Sequence, residues 1–121
     1  MKQTNSWSAL VPIVGALCML GAPAARAEVD KKSEKLWKAK CASCHGVDGK
    51  GKTEQGLKVD LPDISVPGWQ TKNADAQIRQ KITEGSIKEK GAVKLEMDPY
   101  KDKLQPEQVD GLIAFIRTLA G

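Results

Sequence analysis

Cys41-Ala42-Ser43-Cys44-His45 is the segment whose residue types and spacing can do chemistry. Two thiols separated by two residues, with a histidine directly after the second, form C-x-x-C-H, the attachment pattern for c-type haem. Each thiol adds across one vinyl group on adjacent edges of the porphyrin, and one short turn lets both reach. The histidine then falls under the iron as its proximal ligand. C-x-x-C alone also occurs in thiol–disulfide enzymes and zinc sites. A thioredoxin-like enzyme should show βαβ alternation around the motif, and the sequence shows none. A structural zinc site needs four ligands, and the chain has no second C-x-x-C and a single histidine.

The other face of the iron follows by elimination. With one histidine in the chain, a second imidazole from the same molecule is excluded. Met1 and Met19 fall in an N-terminal leader, which leaves Met97 as the remaining thioether. A lone methionine is also commonly core filler; the flanking Glu96 and Asp98 argue against ordinary burial of that segment. Imidazole and thioether together fill both axial positions, leave no place for oxygen or substrate, and raise the reduction potential. An iron so ligated changes little on gaining an electron. That is the chemistry of a carrier rather than an enzyme, cycling one haem between Fe(III) and Fe(II).

The elements that must position these groups begin after residue 27. Lys2 precedes an apolar stretch, Ala9 to Leu20, and Ala25-Arg26-Ala27 offers the small-x-small pattern of a cleavage site. The chain is therefore expected to divide into a signal peptide, 1–27, and one domain, 28–121, exported to the periplasm by the Sec pathway. The apolar stretch is shorter than the about 20 residues of a membrane span, so no stable membrane insertion is expected after cleavage. Cys18 follows the large Leu17, unlike a lipid-attachment cysteine, and leaves with the leader. The domain is small and has few aromatics (Trp37, Trp69, Tyr100 and Phe115), so a bound apolar cofactor would complete its core. The net charge of +4 falls by two when Lys2 and Arg26 are removed. Steering by overall charge is weak, no nucleic-acid partner is expected, and a monomer that meets redox proteins through local patches is.

Hydrophobic spacing places a first helix at about 30–39, capped by Asp30, with Leu36 and Trp37 inward. Gly46, Gly49, Gly51, Gly56, Pro62 and Pro67 make the next stretch read as a loop. Asn73 is the expected cap of a helix over 74–84, with Ile78 and Ile82 inside and Gly85 as its stop. A second irregular stretch, 86–104, carries Met97. Pro106 opens a last helix with Val109, Leu112, Ile113, Ile116 and Leu119 in one stripe. No strand is expected, and the class is all-α, three to five short helices around one covalently bound haem.

From Glu28 to Gly121 the chain resembles the small soluble monohaem cytochromes c of bacterial periplasmic type, with attachment near the N-terminus and a distal methionine. Ser33 and Trp37 match the small and aromatic residues that precede the first cysteine in that family. Leu112-Ile113-Ala114-Phe115-Ile116 matches its terminal helix, and Leu61-Pro62-Asp63-Ile64 with Trp69 its proximal loop. The resemblance implies the cytochrome c fold, with the first and last helices crossing where Ser33 meets Phe115. It also implies that the Pro62 carbonyl accepts from His45 Nδ1–H, and that Trp69 packs near the haem or reaches a propionate. Gly46 and Gly49 match glycines that turn the chain beside the porphyrin. Ser33 stands where glycine is frequent, and Met97-Asp98-Pro99-Tyr100 displaces by one residue the family's Met-Pro-x-aromatic.

Three functions share this chemistry. The first is a free electron shuttle. The second is a haem subunit of a dehydrogenase or oxidase complex. The third is a gas-binding or peroxidatic haem with a labile methionine. Lys88, Lys90, Lys94, Lys101 and Lys103 flank Met97 and form either a docking patch for acidic partners or a solvated surface, since Glu89, Glu96 and Asp102 are interspersed.

Overall fold

A computed structural model describes the backbone from residue 23 onward and the side chains from residue 31. Lys2, the apolar stretch 9–20 and Cys18 lie outside the described residues. The described chain forms six helices and one hairpin, in the order α1 (Pro23–Lys40), α2 (Ala42–His45), α3 (Glu54–Lys58), α4 (Pro67–Lys72), α5 (Asp75–Glu84), β1 (Ser86–Lys90), β2 (Val93–Met97) and α6 (Pro106–Thr118).

The core is built where α1 and α5 lie against α6. Val109, Leu112, Ile113 and Ile116 of α6 are buried as their three-and-four spacing demands. Ile78 and Ile82 meet them from α5, and Trp37, 2% exposed, from α1. Each such side chain contributes about 1.5–3 kcal/mol on leaving water. The Trp37 ring sits 5.7 Å from Phe115, tilted by 47°. Ser33 is buried in α1, and Gly111 is buried in α6. Helices α5 and α6 start alike: the Ala74 N–H donates to Gln77 Oε1 at 2.8 Å and the Gln105 N–H to Gln108 Oε1 at 2.9 Å, each satisfying one amide that the helix leaves free.

Several expectations from sequence are corrected. The first helix begins at Pro23, so Asp30 lies within it and is not its cap. The stretch after Cys41 is not a continuous loop; it holds α2, α3 and α4, each six residues or fewer and too short to show a helical period. Asn73 ends α4 instead of starting α5. Its side-chain amide donates to the Trp69 carbonyl at 2.9 Å, and Ala74 is the N-cap of α5.

The largest correction concerns the stretch before α6. Residues 86–97 form an antiparallel hairpin, with Ser86 opposite Met97 and Lys90 opposite Val93. Gly91, at φ +58°, opens its two-residue turn, a conformation that suits glycine in tight hairpins. Among the described residues no helix is long and apolar enough to cross a membrane.

Candidate haem-binding cleft

The C-x-x-C-H segment folds as a single turn because α1 ends directly before it. Cys41 N–H donates to the Trp37 carbonyl at 2.8 Å, and His45 N–H to the Cys41 carbonyl at 3.0 Å. That turn is clamped from three sides. The Trp37 indole N–H donates to the Gly46 carbonyl at 3.0 Å. The Thr53 hydroxyl donates to the Cys44 carbonyl at 2.6 Å and accepts the Gly56 N–H at 2.9 Å, so one residue caps α3 and ties it to the motif. Gly51 N–H donates to the His45 carbonyl at 2.8 Å. Gly56 lies so close to the Gly51 and Cys44 carbonyls that a β-carbon there would collide with backbone.

Met97 reaches the same region from the opposite wall. As the last residue of β2 it shares a hairpin face with Ser86, Lys88 and Leu95. Gly85, at φ +73°, stops α5 with its backbone against the Met97 carbonyl and Pro99 nitrogen, a contact that a side chain would forbid. Beyond Met97, Tyr100 N–H donates to the Ile82 carbonyl at 3.0 Å, and Tyr100 hydroxyl to the Lys40 carbonyl at 3.3 Å.

Between these walls lie two adjoining hollows, of about 820 and about 1100 Å³ with open space included; Cys41, His45, Leu61, Ser86, Lys88 and Met97 border both. Cys44 and Tyr100 line the first. Pro62, Trp69, Ile78 and Leu112 line the second. All six residues singled out from the sequence therefore face one cleft. The hydrogen bond expected between Pro62 and His45 is not formed: His45 Nδ1 is buried with no partner. Trp69 is half-buried on α4 and packs against the core.

The electrostatics of the motif suit attachment more than thiol redox work. Burial, reinforced by the neighbouring Cys44, pushes the Cys41 thiol up to about 11. Redox-active C-x-x-C motifs do the reverse and stabilise a thiolate. Both cysteines are free thiols. Burial also holds the His45 imidazole below its ordinary value and so neutral, the form that binds a metal. A buried ring nitrogen without a partner is costly. Binding iron through one nitrogen while the other donates to a carbonyl relieves that cost. The residues fit a haem.

Sequence reading passed over several residues that shape the cleft. Gln70 donates to the Ile64 and Ile116 carbonyls at 2.7 and 3.0 Å. Arg117 binds the Gln70 and Asn73 carbonyls at 2.8 and 2.7 Å and Asp75 at 2.6 Å, locking α4, α5 and α6 together behind Trp69. Nothing local announces these contacts. Lys88, which the sequence groups with the surface lysines, sits by register on the inner hairpin face.

A family model described as Cytochrome c matches residues 31–120, and the chain belongs to the cytochrome c family. The Cbb3-type cytochrome c oxidase subunit FixP of Azorhizobium caulinodans is 34% identical over 91 residues, which make up 75% of this chain and 27% of that protein. The chain thus spans about a quarter of that relative. Among solved structures, the KustC0563 c-type cytochrome superposes with a TM-score of 0.63 at 32% identity, covering 74% of this chain and 98% of that one. Cytochrome CL of Methylophaga aminisulfidivorans shares the fold, with a TM-score of 0.55 at 20% identity over 77% of this chain and 54% of its own. Residues 31–120 thus form a cytochrome c domain, which implies covalently attached haem c and haem-based electron transfer.

Proposed function

We propose that this protein is a periplasmic one-electron carrier whose haem is joined to Cys41 and Cys44 and ligated by His45 and Met97. The observation that carries the reading is the meeting of two free thiols, a buried neutral imidazole and a thioether on one cleft. When bound, the haem supplies reversible exchange of one electron between Fe(III) and Fe(II). The chain's own residues do the rest. The Trp37, Thr53 and Gly51 hydrogen bonds hold the His45 turn still, and Gly85 and Tyr100 fix the path of Met97. Ile78, Ile82 and Leu112 keep water from the ring's inner edge. With both ligands held in place, little rearrangement opposes electron transfer.

Residues 1–27 serve as the export signal in this reading, since thioether attachment and an oxidising compartment go together with the leader pattern. Trp69 packs beside the haem, and the Pro62 carbonyl accepts a hydrogen bond from His45 Nδ1–H once the ring is fixed. The similarity to part of FixP supports a second reading, in which the domain is the electron-carrying piece of an oxidase assembly. Co-purification from native membranes separates the two.

The ligation is tested by Met97→Ala. The ferric protein should lose its near-infrared sulfur-to-iron band and its reduction potential should fall; an unchanged spectrum and potential overturn the assignment of Met97.

A further inference from the structure

We propose that Asp60 and Lys90 form a clasp that holds the Met97 hairpin shut over the cleft and so sets how readily a foreign ligand reaches the iron. The inference rests on Met97 being the distal ligand. Lys90 ends β1 at the tip of the hairpin, and its ammonium lies 2.5 Å from the Asp60 carboxylate. Asp60 stands between Val59, which is 1% exposed, and Leu61, which lines both hollows. The ion pair therefore joins the two lips of the cleft: the loop after α3 on one side, the Met97 hairpin on the other.

Two further observations single out this contact. Among the described residues, Asp60 is the one non-glycine residue at positive φ, +50°, a conformation disfavoured for L-residues and tolerated best by Asn and Asp. The turn presents the carboxylate toward Lys90, and Leu61 N–H donates back to the Gly56 carbonyl at 2.9 Å, anchoring it. Beyond its base, held by Gly85 and Tyr100, the hairpin has little other hold. Of its ten strand residues, only Ser86, Leu95 and Met97 are even partly buried, and an isolated two-stranded hairpin is marginal in water. A contact at its tip acts at the far end of a lever whose base carries Met97 opposite Ser86. Lys88, on the same strand as Lys90, also lowers the Asp60 carboxyl, so loss of Asp60 removes more attraction across the cleft than loss of Lys90.

The test is imidazole binding to the ferric holoprotein, followed by loss of the near-infrared sulfur-to-iron band. Imidazole must displace Met97, so its apparent affinity reports how easily the hairpin lifts. Asp60→Asn keeps the left-handed turn and removes the charge; Lys90→Gln removes the other partner. Both should bind imidazole about two- to fivefold tighter than the native protein, the range open to an exposed ion pair. Lys90→Arg should restore the native value. High salt should raise the native affinity toward that of the variants and move theirs less. The shared sign is decisive, because the two substitutions change the charge near the haem in opposite directions. Equal affinities in native and variant proteins, or shifts of opposite sign, overturn the clasp while the band in each resting protein leaves the ligation standing. Absence of the band from the native protein overturns Met97 ligation and the clasp together.

Discussion

The two walls of the cleft are built from different materials. The His45 wall belongs to the core: Trp37 is buried between His45 and Phe115, with ring centroids 5.8 and 5.7 Å away, and the turn around Cys44 is held by short hydrogen bonds from Thr53 and Gly51. The Met97 wall is a mostly exposed hairpin held at its ends by Gly85, Tyr100 and an ion pair on the surface. Packed cores resist small displacements, whereas a surface strap lifts at little cost. The difference teaches where such a molecule yields: toward the sulfur, while the imidazole stays in place.

That contrast gives an ordered set of expectations. The largest effect should come from the thiols. Cys41→Ala with Cys44→Ala should abolish covalent haem, read as loss of haem stain on a denaturing gel, and should leave a chain that no longer unfolds cooperatively. Trp37→Ala should come next, costing about 3–5 kcal/mol in urea unfolding of the holoprotein; a cost below 1 kcal/mol would mean that the His45 wall is not the rigid one. Thr53→Ala removes a cap and the Cys44 carbonyl's partner together, and should cost about 1–2 kcal/mol by the same measurement. On the other wall, Tyr100→Phe deletes only the long bond to the Lys40 carbonyl and should cost no more than about 1 kcal/mol. If Tyr100→Phe proves more damaging than Trp37→Ala, the comparison is inverted.

The smallest expected effect depends on pH. The hydroxyl and backbone N–H of Ser65 hold the Asp63 carboxyl below its ordinary value. A depressed folded-state value means stabilisation that is present above the unfolded-state pKa and lost as pH falls through the folded one. Asp63→Asn should therefore lower the urea midpoint slightly at neutral pH, and the gap to the native protein should close in acid.

The structure also bears on the lysines around Met97. Lys90 pairs with Asp60, and Lys103 pairs with Asp98 at 3.0 Å while lying over the Tyr100 ring. Two of the five are thus engaged within the molecule and Lys88 borders the cleft, so a docking patch would rest chiefly on Lys94 and Lys101.

Some elements were legible and others were not, for reasons of length and distance. Helix α6 repeats its apolar spacing over three turns, so its stripe stands out in the chain. Helix α5 shows two such positions, Ile78 and Ile82, which sufficed to find it but not its cap. Helices α2, α3 and α4 have too few turns to display a period at all. The hairpin did leave a trace, since Val93, Leu95 and Met97 alternate with Lys94 and Glu96, but β1 is polar throughout except Ile87 and hid the pairing. Arg117 looked like any exposed helix residue until the fold brought Gln70 and Asn73, more than forty positions away, to its guanidinium.

From residue types and spacing alone came the cofactor class, the covalent motif, the candidate ligands and the helical class, because thioether chemistry demands two cysteines at fixed separation and a chain with one histidine leaves few choices. The tertiary structure alone decided that Met97 ends a strand, that Asp60 meets Lys90, and that one wall of the cleft is core while the other is surface. Those are matters of long-range contact, and no local pattern encodes which distant residue a side chain will meet.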